Sequence, residues 1–176
     1  MRFFPALGVA VLLFTGCSTT IPVNYVASPV IRGQGNVKPG RITYIPALKG
    51  EVPANQFQKV ISFGAIYLDD SVPNILQQAL RKELVAAGFD PDGPENIVIH
   101  AGVQRFLFDW TGFVEMDMYL DVKYVVTQDG KIVYEDTIRT HKALPKVAGA
   151  ESEAIKTTIS ANISELFTNL RSRKIL

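Results

Sequence analysis

Val114-Glu115-Met116-Asp117-Met118-Tyr119-Leu120-Asp121-Val122-Lys123-Tyr124-Val125-Val126 alternates apolar and polar side chains almost without a break. Successive strand residues point to opposite faces, so this pattern predicts an extended strand with one buried and one solvated side. Gln128-Asp129-Gly130 follows and reads as a three-residue hairpin loop, with Gly130 in the left-handed position. That loop sets Val126 opposite Ile132, Tyr124 opposite Tyr134 and Leu120 opposite Ile138. It also sets Lys123 against Glu135 and Tyr119 against Arg139, pairing polar groups as well as apolar ones. His141 is expected near Asp117, and Asp136 falls on the apolar face. A slip of one residue would send every apolar group to the wet side.

Working outward, Asn96 to Phe108 reads as a long strand whose apolar face is Ile97, Ile99, Ala101 and Val103. The phase then shifts to Phe106, Phe108 and Trp110, which a β-bulge near Gln104-Arg105 would produce. Val72, Ile75, Leu76, Ala79, Leu80 and Leu84 form a helical stripe, with Ser71 as N-cap, Pro73 in the first turn and Gly88 past the end. Asp69 and Asp70 lie where the positive end of that helix favours negative charge. A second stripe, Ile155, Ile159, Ile163, Leu166, Phe167 and Leu170, predicts a helix from Ser152 to about Arg171. Arg41–Ala47 and Lys59–Tyr67 read as two earlier strands, and Gly33–Gly40 and Ala143–Gly149 as loops. The order is β-β-α-β-β-β-α. It predicts an α+β fold, a two-layer α/β sandwich with a mainly antiparallel sheet and two helices on one face.

Composition narrows the function. The chain has 176 residues, 47% hydrophobic and 20% charged, as expected of one globular domain. Eighteen basic residues balance 17 acidic ones and no Lys/Arg block of five or more occurs, so nucleic acid is not an expected partner. The single cysteine, Cys17, excludes an intrachain disulfide framework. Met1-Arg2 followed by the apolar run Phe3–Phe14 reads as a signal segment, since it is too short to span a bilayer.

Phe14-Thr15-Gly16-Cys17 resembles a bacterial lipobox, departing from it only in Phe14, where leucine is usual. The resemblance implies cleavage before Cys17, S-diacylglycerol and N-acyl modification of that cysteine, and no free thiol. Ser18 in place of Asp implies export to the outer membrane, with the body on its periplasmic face. The expected organisation is a signal peptide over 1–16, a lipidated tail and linker over 17–40, and one periplasmic domain over 41–176.

Catalytic, cofactor and metal sites are not expected. His100 and His141 have no metal-ligand spacing, and no GxSxG elbow or phosphate-loop ending occurs. Glu115, Asp117 and Asp121 share a strand face whose basic neighbours account for them. Phe106-Leu-Phe-Asp-Trp-Thr-Gly-Phe113 concentrates aromatics at a strand connection, making Phe106, Phe108, Trp110 and Phe113 a candidate interface for a partner or for lipid. The favoured reading of the same residues is structural, with Phe106 and Phe108 packed under a helix and Trp110 covering a sheet edge.

The whole pattern resembles the YajG family of bacterial lipoproteins. The likeness rests on Cys17, Val26-Ala-Ser-Pro29, Leu76–Gly88, the hairpin around Gln128-Asp129-Gly130 and the last helix. Auxiliary lipoproteins of envelope lipid-transport systems share the helix–three-strand–helix order. The first resemblance implies an envelope lipoprotein of undefined role, for which the anchor, the compact fold and the lack of a catalytic set lead us to expect a non-enzymatic module with a protein partner; the second implies an accessory that contacts phospholipid.

Overall fold

A computed structural model describes residues 18–59, 65–94, 96–147 and 149–176. The signal segment and Cys17 lie outside them. The elements are β1 (Ser18–Ile21), β2 (Val37–Tyr44), α1 (Ile45–Leu48), β3 (Gln58–Lys59), β4 (Ala65–Leu68), α2 (Val72–Ala87), β5 (Ile97–Asp109), β6 (Glu115–Gln128), β7 (Lys131–Pro145) and α3 (Ala150–Ser172). The main sheet runs β2-β5-β6-β7, with β3 also paired to β5, and a small sheet pairs β1 with β4. The expected α+β sandwich is thus realised: α2 packs over β2, α3 over β6 and β7, and the helices touch.

The alternating stretch holds the layers together. Met116, Met118, Leu120, Val122, Tyr124 and Val126 are all buried beneath the helices. The bulge in β5 is where the phase shift required it: Val103 pairs with Val122 and Arg105 with Asp121, leaving Gln104 extra. It returns Phe106 and Phe108 to the buried face.

The hairpin register differs from the expected one. Gln128 pairs with Lys131, so the loop is the two residues Asp129 and Gly130, both at positive φ (49° and 76°). Such a turn matches the right-handed twist of the strands, and the compensating extra residue is taken up as a bulge at Val133. Tyr134 therefore lies opposite Val126, Asp136 opposite Tyr124, Ile138 opposite Val122 and Thr140 opposite Leu120. Lys123 still meets Glu135 at 2.6 Å, but diagonally, and Arg139 lies across from Asp121 instead of Tyr119. Asp136 is exposed on the edge strand and accepts from the Thr137 amide at 2.8 Å.

Other boundaries also move. β2 starts at Val37, inside the expected loop, because β5 offers a parallel partner; as an edge strand β2 tolerates Pro39. It stops at Tyr44, where Pro46 opens the one-turn α1 rather than continuing a strand to Ala47. The expected strand Lys59–Tyr67 is two strands in different sheets, with 60–64 outside the described residues. β7 runs to Pro145, paired with Glu115, where a loop from Ala143 was expected.

α2 begins and ends as its sequence dictates. Ser71 Oγ accepts from the Asn74 amide at 3.4 Å, and Gly88 closes the helix at φ 100°. A Cβ at Gly88 would also stand 2.7 Å from the Gly33 carbonyl oxygen. In α3 the fully buried Asn162 is the polar centre of the core. Its Oδ1 accepts from Tyr124 Oη at 2.8 Å, and its Nδ2 reaches Thr140 Oγ1 (2.9 Å) and the carbonyls of Leu120 (3.2 Å) and Ile138 (3.3 Å). One side chain thereby fastens α3 to β6 and β7.

Asn162→Ala would strand the Tyr124 and Thr140 hydroxyls in a dry interior. Each unsatisfied group costs about 1–3 kcal/mol, so urea denaturation should show a loss of about 3 kcal/mol. Exposed His141→Ala should change the same midpoint by less than about 0.5 kcal/mol.

Candidate functional site

The aromatic stretch divides between the interior and the surface. Phe106 and Phe108 are buried and pack edge-on against Phe57, with ring centroids 5.8 and 5.3 Å apart. Trp110, half-buried, continues the row at 5.1 Å from Phe108. Phe113 stands free in the β5–β6 connection at 102% of its reference exposure. Val114, read from the alternation as a buried residue, is 74% exposed because β6 begins only at Glu115.

The Lys146 amide donates to the Val114 carbonyl at 2.9 Å, which sets Val147, itself 60% exposed, beside Val114. The Lys146 ammonium donates to the carbonyls of Trp110 and Gly112 and sits 5.1 Å above the Trp110 ring. Asp109 accepts from the Thr111 amide at 2.9 Å, which holds its carboxyl below the usual carboxylate range. The connection is thus an internally bonded turn with an apolar tip: Phe113, Val114 and Val147.

The sheet face away from the helices carries a second cluster. Arg105 lies 4.1 Å over the Tyr119 ring, and Tyr119 stacks on His141 at 4.4 Å and 6°. His141 Nε2 meets Asp117 Oδ1 at 2.6 Å, diagonally, since Tyr119 is the residue directly across. Asp121 is flanked by Arg105 and Arg139 in register. The Asp117–His141 pair orients a ring against Tyr119, and no serine, threonine or cysteine completes a nucleophile–base arrangement with it among its hydrogen bonds. Among the described residues no three His, Cys, Asp or Glu side chains gather as metal ligands. His100 serves the backbone: at the irregularity between Pro39 and Ile42 the Arg41 amide donates to its Nδ1 at 3.0 Å. Asp70 accepts from the Ser71 amide and the side chains of Asn74 and Gln78, and Asp69 accepts from the Val23 amide.

A third feature escaped the sequence reading. Glu83, 1% exposed, occupies the middle of the apolar stripe of α2. Its Oε1 accepts from Tyr25 Oη, the Ser28 amide (3.1 Å) and Ser160 Oγ (3.4 Å), while Oε2 has no partner. Lys82 adds a hydrogen bond to the Tyr25 carbonyl at 2.9 Å. Within the span read as tail and linker, β1 pairs with β4, and Ile21, Tyr25 and Ile31 are buried. Glu83 clasps this segment to both helices. The available signal was positional: a carboxylate three residues after Leu80 and four after Ala79 lies on the buried stripe.

No family model matches the chain, and no curated protein matches it. Solved structures do resemble it. A Xanthomonas campestris protein of family DUF330 is 12% identical, with 88% of this chain and 97% of that one aligned at a TM-score of 0.61. An uncharacterized protein is 14% identical over 85% and 98%, at 0.56. A minor lipoprotein of Acinetobacter baumannii is 13% identical over 70% and 96%, at 0.40, too low to carry an argument. The shared property is the fold.

Replacing the clasp should free the N-terminal segment without melting the sheet. In Glu83→Ala, proteolysis within residues 22–36 should accelerate at least tenfold, as removal of buried hydrogen bonds to a charged group costs about 1.5–3 kcal/mol. Amide protection in β5 and β6 should stay at the native level. Burial, foremost, holds the hydroxyls of Tyr25, Tyr44 and Tyr124 protonated well above the usual tyrosine range. The folded state therefore binds those protons more tightly than the unfolded chain. Stability from this source is complete below about pH 10 and is lost as pH rises beyond it, which urea titrations at successive pH values should record.

Proposed function

We propose that this chain is a bacterial envelope lipoprotein, anchored through acylated Cys17 to the periplasmic face of the outer membrane, that works by contact rather than catalysis. The observation that carries the reading is the junction at Ser18. The apolar run ends at the residue before Cys17's small neighbours, and β1 begins immediately after the cysteine, already paired with β4. Cleavage at Cys17 would remove the apolar run and leave every described element intact. Two acyl chains or more hold a protein on a bilayer stably, where one does not.

The absence of an enzymatic role rests on the side chains described above. The Asp117–His141 pair stacks on Tyr119 without a nucleophile, and Asp69 and Asp70, just ahead of α2, are engaged by backbone amides. The YajG-like assignment is supported by the sequence pattern, and the role as a protein-interaction or envelope-maintenance module is supported by the anchor, the compact fold and the side chains described above.

Cys17→Ser in the full-length protein, expressed in a Gram-negative host, should abolish metabolic palmitate labelling and move the protein out of the membrane fraction. The extracted wild-type protein should show the mass of the acylated, cleaved chain. Labelling of the variant at the wild-type level would overturn the assignment of Cys17.

A further inference from the structure

The apolar tip and Pro22, the residue after β1, both lie at the start of α3. The connection between β5 and β6 exposes Phe113 and Val114, with Val147 beside them. The Ala150 amide donates to the Val147 carbonyl at 3.0 Å, so α3 starts at the tip. Two residues on, Ser152 Oγ donates to the Pro22 carbonyl at 2.7 Å, tying the end of the N-terminal strand to the first turn of α3. From Pro22, β1 reaches Ser18 in four strand residues, roughly 13 Å. Ser18 pairs with Ala65, the first residue of β4, and β3, just before that connection, runs alongside Leu107–Phe108 in the direction of the tip. Cys17 is the next residue, with no slack between it and the paired strand.

The chemistry of the tip suits a lipid headgroup region. Lys146 occupies the carbonyls of Trp110 and Gly112, and Asp109 occupies the Thr111 amide, so these three backbone groups of the turn do not depend on water. Trp110 stands behind the exposed residues with one ring face on the ammonium of Lys146, an amphipathic placement favoured at membrane interfaces. The tip carries both signs of charge, Lys146 on the backbone carbonyls and Asp109 on the Thr111 amide, so no single-sign patch directs it to an anionic surface.

We infer that Phe113, Val114 and Val147 form a second membrane contact, entering the headgroup region of the same bilayer that holds the lipid anchor. The inference rests on the lipoprotein reading above. With the anchor at one point and the tip at another, the domain has a defined orientation: β2–β7 stand on the membrane with the β5–β6 end down and the Asp129-Gly130 end away.

Trp110 is the only tryptophan in the chain and serves as the reporter. Acylated full-length protein is reconstituted in phosphatidylethanolamine vesicles containing phosphatidylcholine brominated on its acyl chains, and its intact mass is measured in the same sample. Brominated lipid should quench wild-type Trp110 roughly twofold or more, and Phe113→Asp combined with Val147→Asp should restore most of the emission. Unchanged chymotrypsin resistance of the body confirms that this variant is folded; were it not, Phe113→Ser alone takes its place. Acylated wild-type protein with unquenched Trp110 overturns the inference while leaving the anchor intact. A mass without acyl chains overturns the anchor instead. The tip is then decided with the chain held by an N-terminal hexahistidine on nickel-chelating lipid in the same vesicles, where quenching supports it and its absence refutes it.

Discussion

Glu83 is the constraint around which the N-terminal half is organised. A carboxylate inside the packed interface of two helices costs several kcal/mol unless hydrogen bonds compensate, and here Tyr25, the Ser28 amide and Ser160 all donate to one of its oxygens. Replacing it with an apolar residue would relieve the burial of the carboxyl group but leave those donors unpaired. The N-terminal segment is therefore held by an interaction that is useful only when the segment is docked. Such an arrangement specifies one placement rather than adding net stability. Asn162 plays the neutral counterpart under α3, joining helix to sheet through groups that no apolar packing would align.

Patterns of period two and of 3.6 residues were enough to identify the sheet, both long helices, the bulge in β5 and the layering. They are legible because burial acts on whole faces, and a face repeats many times along an element. The Met116–Val126 series repeats its message six times, so a single exception such as Val114 does not disturb it. The caps of α2 were legible for a different reason: Ser71 and Gly88 satisfy local backbone requirements that do not depend on distant chain.

What remained hidden depends on contacts far apart in sequence. The hairpin register turned on whether the extra residue sits in the loop or at Val133, and both choices leave the same alternation. β2 starts at Val37 only because β5 presents a parallel edge to it, and His100 is consumed by the irregularity at Arg41. The aromatic stretch was conspicuous as composition. Its division into buried Phe106 and Phe108, half-buried Trp110 and fully exposed Phe113 follows from where the sheet ends. Val147 carried no signal of its own, since its neighbour Val114 lies more than thirty positions away.

The pairing of β1 with β4 directly after Cys17 has a consequence for encounter rather than for stability. Under the proposed anchoring, the domain has no tether on which to wander. A protein on a long flexible linker samples a volume, pays to be localised when it binds, and reaches partners at any height within its span. A domain seated both by its first residue and by the Phe113 tip samples rotation about the membrane normal and little else. Its exposed surfaces, the sheet face with Arg105, Tyr119 and His141 among them, are then held at a constant height above the bilayer. Partners that share that membrane meet it by a two-dimensional search, with much of the orientational entropy of association already surrendered.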